Sequence, residues 1–390
     1  MRQISSVAAI LCAVLLAAAA ASAQSSKQDV DLTAADGVKF KATYYSAGKP
    51  GPGVLLMHQC NRERKTWDAL ATRLSQAGIH VVTFDYRGFG ESGGPRFDTA
   101  TSEQRAEVVK SWPGDIDMVF AYLLAQPGVD RARIGAGGAS CGVDNSIQLA
   151  RRHSEVKTLV LLSGTTDDAG IEYLESAYAV PILGSASEDD DDALPMMRWL
   201  IAFTPNPADK LVLYKAAGHG TEMFKVEKGL EPMIFEWYQA KLEHPAAADP
   251  PKLAVKRPAS VEFWNALIEP GGVPRATRIF EEDRKKDPNV ILFPEAAVNV
   301  LGYQRMQAGD TKSAIEILKI NALAYPNSAN VYDSLGDAYL ADHQDSLALQ
   351  HSEKALKILA ENPPPDPARA QAIRESAEAK IKQLRPKGGN

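Results

Sequence analysis

The sequence is poor in cysteine and carries no strong charge of either sign. Only three of its 390 residues are cysteine, and its formal net charge is -6. So few cysteines exclude a disulfide-dense scaffold, and the lack of a basic excess gives no sign of a nucleic-acid-binding protein. No apolar run after Ala21 is long enough to span a bilayer. With 45% hydrophobic and 24% charged residues, the chain has the composition of a folded globular protein.

The N-terminus has the pattern of a secretory signal peptide. Arg2 is followed by an apolar run over 7–21 and by Ala21-Ser22-Ala23, the small-residue pattern that precedes a cleavage site. An N-terminal membrane anchor is the alternative, but the run is shorter than the ~20 residues that a spanning helix needs. We therefore expect residues 1–23 to be removed, and the mature protein to be periplasmic or secreted in a bacterium, with no membrane span.

Residues 24–244 alternate short β-rich runs with amphipathic stretches. The runs at 54–57 and 159–162 are continuously apolar, which is typical of strands buried on both faces of a parallel sheet. Repeated strand–helix units predict an α/β domain whose mostly parallel sheet is flanked by helices. The predicted strands are 38–45, 53–58, 79–86, 133–139, 157–163, 180–185 and 210–215.

The remainder of the chain has a different composition. Residues 245–258 are rich in proline and alanine, which predicts an extended linker, and 259–386 have a helical pattern. Within that region Leu301-Gly302 and Leu335-Gly336 are 34 residues apart, as are Ala314 and Ala348. The region resembles tetratricopeptide repeats, which have this period. Expected units are 295–328 and 329–361, preceded by helices at 261–268 and 275–286 and capped by 368–384; an unrelated helical bundle is the alternative.

The chemistry of the first domain centres on Ser140. Gly138-Ala139-Ser140-Cys141-Gly142 joins a predicted strand to a predicted helix, which is the strand–turn–helix context of a Gly-x-Ser-x-Gly nucleophile elbow. A serine hydroxyl is a poor nucleophile at neutral pH and needs a base held by an orienting acid. Ser140 is therefore the predicted nucleophile.

The base and the acid follow later strands, in the order that this type of site requires. His219 lies in a glycine-flanked loop after the last predicted strand. The acid comes from the run that follows the strand at 180–185, where Asp190 is the first choice and Asp189 and Asp191 are the alternatives. No segment indicates a cofactor or a metal site.

Taken together, residues 29–243 resemble an α/β-hydrolase of the dienelactone hydrolase branch. The segments that carry the resemblance are 54–58, 84–93, the elbow and the histidine loop. The resemblance implies an oxyanion hole made by the backbone N–H groups of Cys141 and Cys60. The family usually has glycine after the strand-end histidine, whereas His58 is followed here by Gln59.

The resemblance raises two questions about the cysteines. Dienelactone hydrolases typically use a cysteine nucleophile, but a site centred on Cys141 would place the β-branched Val143 where glycine belongs, which favours Ser140. Cys60 and Cys141 fall on two loops that converge over the oxyanion hole, so a disulfide between them is a hypothesis.

These observations predict a serine hydrolase that cleaves small or accessible carboxylic esters through an acyl-enzyme. The helical repeats would serve a protein or peptide partner, or oligomerisation. The alternative is a non-catalytic interaction protein in which the repeats bind a peptide and the hydrolase domain is inert.

Overall fold

The computed structural model describes residues 25–190, 193–204, 206–243, 259–269, 271–288 and 290–385. The predicted signal peptide (1–23) and linker (245–258) lie outside the described residues, as does Asp191. The domain limits deduced from the sequence therefore stay predictions.

Eight strands form one sheet in the order β1-β2-β4-β3-β5-β6-β7-β8. The β1–β2 and β2–β4 pairs are antiparallel and the other five pairs are parallel. The predicted α/β class with a mostly parallel sheet is confirmed; the edge strand β1 was not predicted. The strands are β1 (Ser26–Thr33), β2 (Lys39–Ser46), β3 (Gly51–Met57), β4 (His80–Phe84), β5 (Val129–Ala139), β6 (Val156–Leu162), β7 (Ile182–Ser187) and β8 (Lys210–Tyr214).

Seven α-helices accompany the strands in the described part of 25–243. They are α1 (Asp68–Ala77), α2 (Ser102–Leu124), α3 (Cys141–Arg152), α4 (Asp168–Ser176), α5 (Ala193–Phe203), α6 (Met223–Val226) and α7 (Leu230–Glu243). The helix α2 begins after Thr101, whose side chain and that of Gln104 form a reciprocal capping box.

The central strand β3 shows why its sequence is apolar without interruption. Leu55 and Met57 enter the hydrophobic cluster that contains residues of α2 and α3, whereas Val54 and Leu56 enter the cluster with α1 and α7. Successive side chains of a strand point to opposite faces, so a strand covered by helices on both sides needs apolar residues at every position. All seven residues of β3 are buried.

The parallel strands end at the same edge of the sheet. β3 and β5 are neighbours at its centre, and β6, β7 and β8 follow in order on one side. Loops at the carboxyl ends of such strands are where open α/β sheets bind ligands. The loops that follow β3, β5, β7 and β8 carry Cys60, Ser140, Asp190 and His219, so the topology gathers the candidate residues at one edge.

The described part of 259–385 contains helices and no strand. They are α8 (Ala259–Ile268), α9 (Val273–Lys286), α10 (Glu295–Gln307), α11 (Thr311–Ala324), α12 (Ala329–Ala341), α13 (Asp345–Glu361) and α14 (Pro367–Leu384). The predicted all-helical character is confirmed. α8 packs directly on the first domain: the rings of Trp199 and Trp264 meet edge to face with centroids 4.7 Å apart. Asn265 Nδ2 donates a hydrogen bond of 2.9 Å to Glu175 Oε1.

Across the described ranges, none of the helices combines the length and the hydropathy needed to traverse a bilayer.

Candidate active site

Ser140 occupies the tight turn between β5 and α3. Its backbone has φ 54° and ψ -119°, a conformation that side chains rarely adopt and that is found at functional turns. A Cβ at Gly138 would lie 2.0 Å from the carbonyl oxygen of Gly142, and one at Gly142 would lie 2.6 Å from that of Met57. Both glycines are therefore required by the close approach of backbones, and the turn leaves Ser140 partly accessible to solvent.

His219 and Asp190 are hydrogen-bonded across the edge of the sheet. Nδ1 of His219 lies 2.7 Å from Oδ2 of Asp190, and the side chains are 36% and 12% exposed respectively. The histidine loop also contacts the elbow, because a Cβ at Gly220 would lie 3.3 Å from Cβ of Ala139, the residue before Ser140. The structure thus brings the predicted base and acid together beside the predicted nucleophile.

Asp189 has a different role from its neighbour. Its Oδ1 accepts hydrogen bonds from Ser187 Oγ and from the backbone N–H groups of Ala217 (3.2 Å) and Gly218 (3.1 Å). The hydrogen bond from Ser187 holds the pKa of Asp189 below its ordinary value. Asp189 therefore stabilises the loop that carries His219 but does not contact the imidazole as Asp190 does.

Cys60 and Cys141 form a disulfide, with their Cα atoms 5.9 Å apart. A cysteine in a disulfide has no thiolate to offer, so this state of the protein gives no role to Cys141 as nucleophile. Cys141 is the first residue of α3, whose N-terminal end favours negative charge. Within the described residues, the backbone N–H groups of Cys60 and Cys141 donate no hydrogen bond, which leaves both available to an oxyanion.

Two buried features near the site were not found from the sequence. Gln59 and Thr221, 162 residues apart, are joined by hydrogen bonds of 2.8 Å. Arg64 is buried against Asp85, whose Oδ1 also accepts the backbone N–H of Arg64 at 2.7 Å. The sequence offered one sign of the Gln59–Thr221 contact, namely that Gln59 stands where the family usually has glycine. The contact itself joins residues far apart in the chain, so no local sequence pattern predicts it.

Two cavities of similar size lie in different parts of the chain. One, of about 680 Å³, is lined by residues that include Cys60, Phe89, Arg96 and Lys225. The other, of about 640 Å³, lies among the helices α10 to α14 and includes Tyr325. Of the two, the first includes Cys60, a predicted oxyanion donor, in its lining, so it is the candidate substrate pocket.

A sequence profile of the family described as "Serine aminopeptidase, S33" matches residues 48–180. That match covers the strands β3 to β6, the elbow and α3. Residues 26–243 have the α/β-hydrolase fold.

Curated relatives match parts of the chain. An uncharacterized 31.7 kDa protein of Escherichia coli is 30% identical over 110 residues, 28% of this chain and 36% of that protein. The chain thus spans little more than a third of that relative. An uncharacterized protein of Mycobacterium tuberculosis is 26% identical over 215 residues, 49% of this chain and 72% of that protein.

Solved structures similar to the hydrolase domain include two enzymes. An esterase of Pyrococcus furiosus has 17% identity and a TM-score of 0.45, covering 56% of this chain and 94% of the other. A dienelactone hydrolase of Anabaena variabilis has 20% identity and a TM-score of 0.43, covering 56% and 99%.

Proposed function

We propose that this protein is a serine hydrolase that cleaves carboxylic esters through Ser140, His219 and Asp190. The hydrogen bond of 2.7 Å between His219 and Asp190, beside the strained turn of Ser140, is the observation that carries the proposal. A carboxylate on one nitrogen of the imidazole fixes its tautomer and stabilises the imidazolium that forms when the other nitrogen accepts a proton.

The reaction proceeds in two halves. His219 takes the proton of the Ser140 hydroxyl as its oxygen attacks the ester carbonyl, and the carbonyl π electrons move to the oxygen. The N–H groups of Cys141 and Cys60 bind this oxyanion, an interaction worth about 2.7–4 kcal/mol for one donor in related sites. Collapse of the intermediate expels the alkoxide, which receives the proton from His219. In the second half a water molecule takes the place of the alcohol: His219 accepts its proton as the water oxygen attacks the acyl carbonyl. Collapse of the second intermediate releases the carboxylic acid and expels the Ser140 oxygen, which receives the proton from His219.

The substrate class is a small or accessible ester. His219 is about one-third exposed, and the cavity of about 680 Å³ at Cys60 has room for a small molecule. The family description names an aminopeptidase, so amide cleavage is the second reaction to test. The two are separated by comparing p-nitrophenyl esters of increasing acyl length with an aminoacyl p-nitroanilide.

Covalent labelling tests the nucleophile directly. A fluorophosphonate should add its phosphonyl group to Ser140, detected as a mass increment on the peptide that contains this residue. Ser140→Ala should abolish both labelling and ester hydrolysis. Ser154→Ala, at an exposed position outside the site, should retain both. An unlabelled wild-type protein without hydrolytic activity would instead favour the inert, partner-binding alternative.

The helical region is proposed to be a tetratricopeptide-like repeat that binds a protein or peptide partner or mediates oligomerisation. Equivalent contacts recur at the expected period: Gly302 faces Leu318, and Gly336, 34 residues later, faces Ser352. In both units a glycine lets the second helix approach the first closely. Light scattering on the purified chain separates the two roles, because a stable oligomer favours self-association and a monomer favours a different partner.

Export to an oxidising compartment completes the proposal. The N-terminal pattern ending at Ala23 supports it, and so does the disulfide between Cys60 and Cys141, since disulfides persist mainly outside the reducing cytosol. N-terminal sequencing of protein from the periplasm or medium should begin at Gln24.

A further inference from the structure

The loop after β3 contains a polar side chain that is completely buried. Gln59 is 0% exposed, and its Oε1 accepts hydrogen bonds from the backbone N–H and the hydroxyl of Thr221, both at 2.8 Å. Its Nε2 donates to Asn61 Oδ1 at 2.8 Å. Because burying an unpaired amide costs free energy, these hydrogen bonds restrain the position of the loop that carries Gln59. Gln59 therefore ties the β3 loop to the residue two positions after His219.

The contact between these loops is close enough to restrict the partner residue. A Cβ at Gly220 would lie 2.5 Å from Oε1 of Gln59, and Gly220 has a positive φ of 59°. Both the space and the backbone conformation therefore require glycine at this position. The side chain of Gln59 packs directly against the backbone of Gly220, and this contact fixes the distance between the β3 loop and the histidine loop.

A second tie joins the same loop to the nucleophile elbow. Cys60 follows Gln59, and its disulfide leads to Cys141, the residue after Ser140. The sulfur bridge spans 81 residues of sequence and connects the two loops whose backbone N–H groups are the proposed oxyanion donors. The β3 loop is thus held by a covalent bond on one side and by Gln59 on the other.

A third contact orients the peptide unit between Gln59 and Cys60. His58 Nδ1 donates to the carbonyl oxygen of Gln59 at 2.8 Å, and His58 Nε2 accepts the N–H of Tyr86 at 3.0 Å. Burial lowers the pKa of His58 to about 4, so the ring is neutral and keeps one proton, on Nδ1. In a planar trans peptide the C=O and N–H point in opposite directions. Holding the carbonyl of Gln59 therefore directs the N–H of Cys60 away from His58.

We infer that Gln59 and the Cys60–Cys141 disulfide are positioning elements of the oxyanion hole, which together hold the Cys60 N–H in place for the transition state. The inference rests on the proposed function. Neither side chain needs to touch the substrate, because the donor is a backbone group. Since an oxyanion donor acts only when it lies within hydrogen-bond distance of the developing charge, loosening either tie lowers kcat and leaves the KM for a small ester nearly unchanged.

The experiment compares three variants and one chemical treatment with the untreated wild-type protein. Gln59→Ala removes the non-covalent tie. Gln59→Glu replaces the amide by a carboxylate, which keeps an oxygen acceptor for Thr221 but loses the Nε2 donor to Asn61. The double variant Cys60→Ser/Cys141→Ser removes the covalent tie. Dithiothreitol treatment of folded wild-type protein opens the same bond without mutation: the dithiol gives two electrons and two protons, leaving two protein thiols and its own cyclic disulfide. Active sites are counted by end-point fluorophosphonate labelling, so that kcat refers only to folded, competent protein.

We expect kcat for p-nitrophenyl acetate to fall by about 10- to 100-fold in Gln59→Ala, in the double cysteine variant and after reduction, with partial rescue in Gln59→Glu. The inhibition constant of a trifluoromethyl ketone, whose bound hydrate or hemiketal oxygen occupies the oxyanion hole, should rise in parallel. A merely structural role would lower the number of labelled sites and leave both constants unchanged per site.

The outcomes separate this inference from the proposed function. A wild-type protein that neither labels nor hydrolyses esters contradicts the function itself. An active wild-type protein whose kcat and inhibition constant stay within twofold after loss of a tie overturns the positioning role of that tie. If a variant does not fold, the reduced wild-type protein tests the role of the disulfide, and Gln59→Glu tests the role of the glutamine.

Discussion

Replacing Asp190 with asparagine gives a sharp test of the catalytic arrangement, because the chain supplies a matched control in the next residue. Asp190 Oδ2 lies 2.7 Å from His219 Nδ1, whereas Asp189 binds the backbone of the histidine loop. Both variants, Asp190→Asn and Asp189→Asn, remove one negative charge from the same loop and change no side-chain volume appreciably. Asp190→Asn removes the charge beside the imidazole of His219, whereas Asp189→Asn removes the charge that binds the backbone of the histidine loop.

The expected loss follows from the charge that develops on His219 during the reaction. Opposite unit charges about 4 Å apart attract by about 4 kcal/mol at an effective dielectric constant of about 20. His219 is 36% exposed, so water screens part of this attraction. Since about 1.36 kcal/mol corresponds to tenfold in rate, kcat in Asp190→Asn should fall by about 10²- to 10³-fold. An asparagine that offers the wrong group to Nδ1 also disturbs the tautomer.

Asp189→Asn should behave differently. Its side-chain oxygen still accepts the N–H groups of Ala217 and Gly218, so the loop stays in place and kcat should remain within about fivefold of wild type. The assay is kcat for p-nitrophenyl acetate, divided by the number of sites labelled with fluorophosphonate. A large loss in Asp189→Asn with a small one in Asp190→Asn would move the acid to Asp189. Small losses in both would refute the reasoning and place the acid outside this pair.

Two further predictions concern stability and are both measured by urea unfolding. Burial lowers the pKa of His58 to about 4, below the ordinary value of about 6.5, so between these values the unfolded chain binds a proton that the folded chain does not. The free energy of unfolding should therefore fall as the pH drops through this window, by at most about 3 kcal/mol from this residue. The His58→Gln variant should show a smaller fall over the same pH range. An equal fall in the variant would contradict the role of His58 in this pH dependence. In the helical region, a Cβ at Gly302 would lie 2.7 Å from Leu318, so Gly302→Ala should destabilise by about 1–3 kcal/mol. Gly114→Ala in α2 meets open space and should stabilise by up to about 1 kcal/mol; equal effects of the two would refute the close helix approach.

The sequence was informative where a local pattern determines the structure. Continuous apolar runs predicted the central strands, and the order of strand ends predicted that Ser140, Asp190 and His219 would meet at one edge of the sheet. It was uninformative about β1, whose residues over Ser26–Thr33 are largely polar and exposed. Such a strand is held by pairing with β2. Val30 and Leu32 pack against the core, but two apolar positions are too few to reveal an alternating pattern.

The sequence alone could not determine which of the two adjacent aspartates contacts His219. Asp189 and Asp190 have the same chemistry and the same composition around them, so a sequence pattern ranks them only by analogy. The two carboxylates have different contacts in the structure, because consecutive side chains in the turn after β7 point in different directions. One carboxylate meets the backbone of Ala217 and Gly218, and the next meets the imidazole of His219.

The glutamine after His58 is compatible with the proposed oxyanion hole, whose donors are backbone groups. A backbone N–H is present whatever the side chain, so the position tolerates any residue whose side chain can be accommodated. Here Gln59 is accommodated by burial against Thr221 and by the absence of a side chain at Gly220. Cys60 is accommodated by its disulfide. Glycine at position 59 would leave the backbone N–H of Thr221 without its buried acceptor, which costs about 1–3 kcal/mol for a buried polar group left unpaired. The Thr221 hydroxyl would keep its contact with the Thr66 hydroxyl at 2.7 Å. The residue that the family usually has is therefore not a neutral replacement in this chain, because the histidine loop is built around the glutamine.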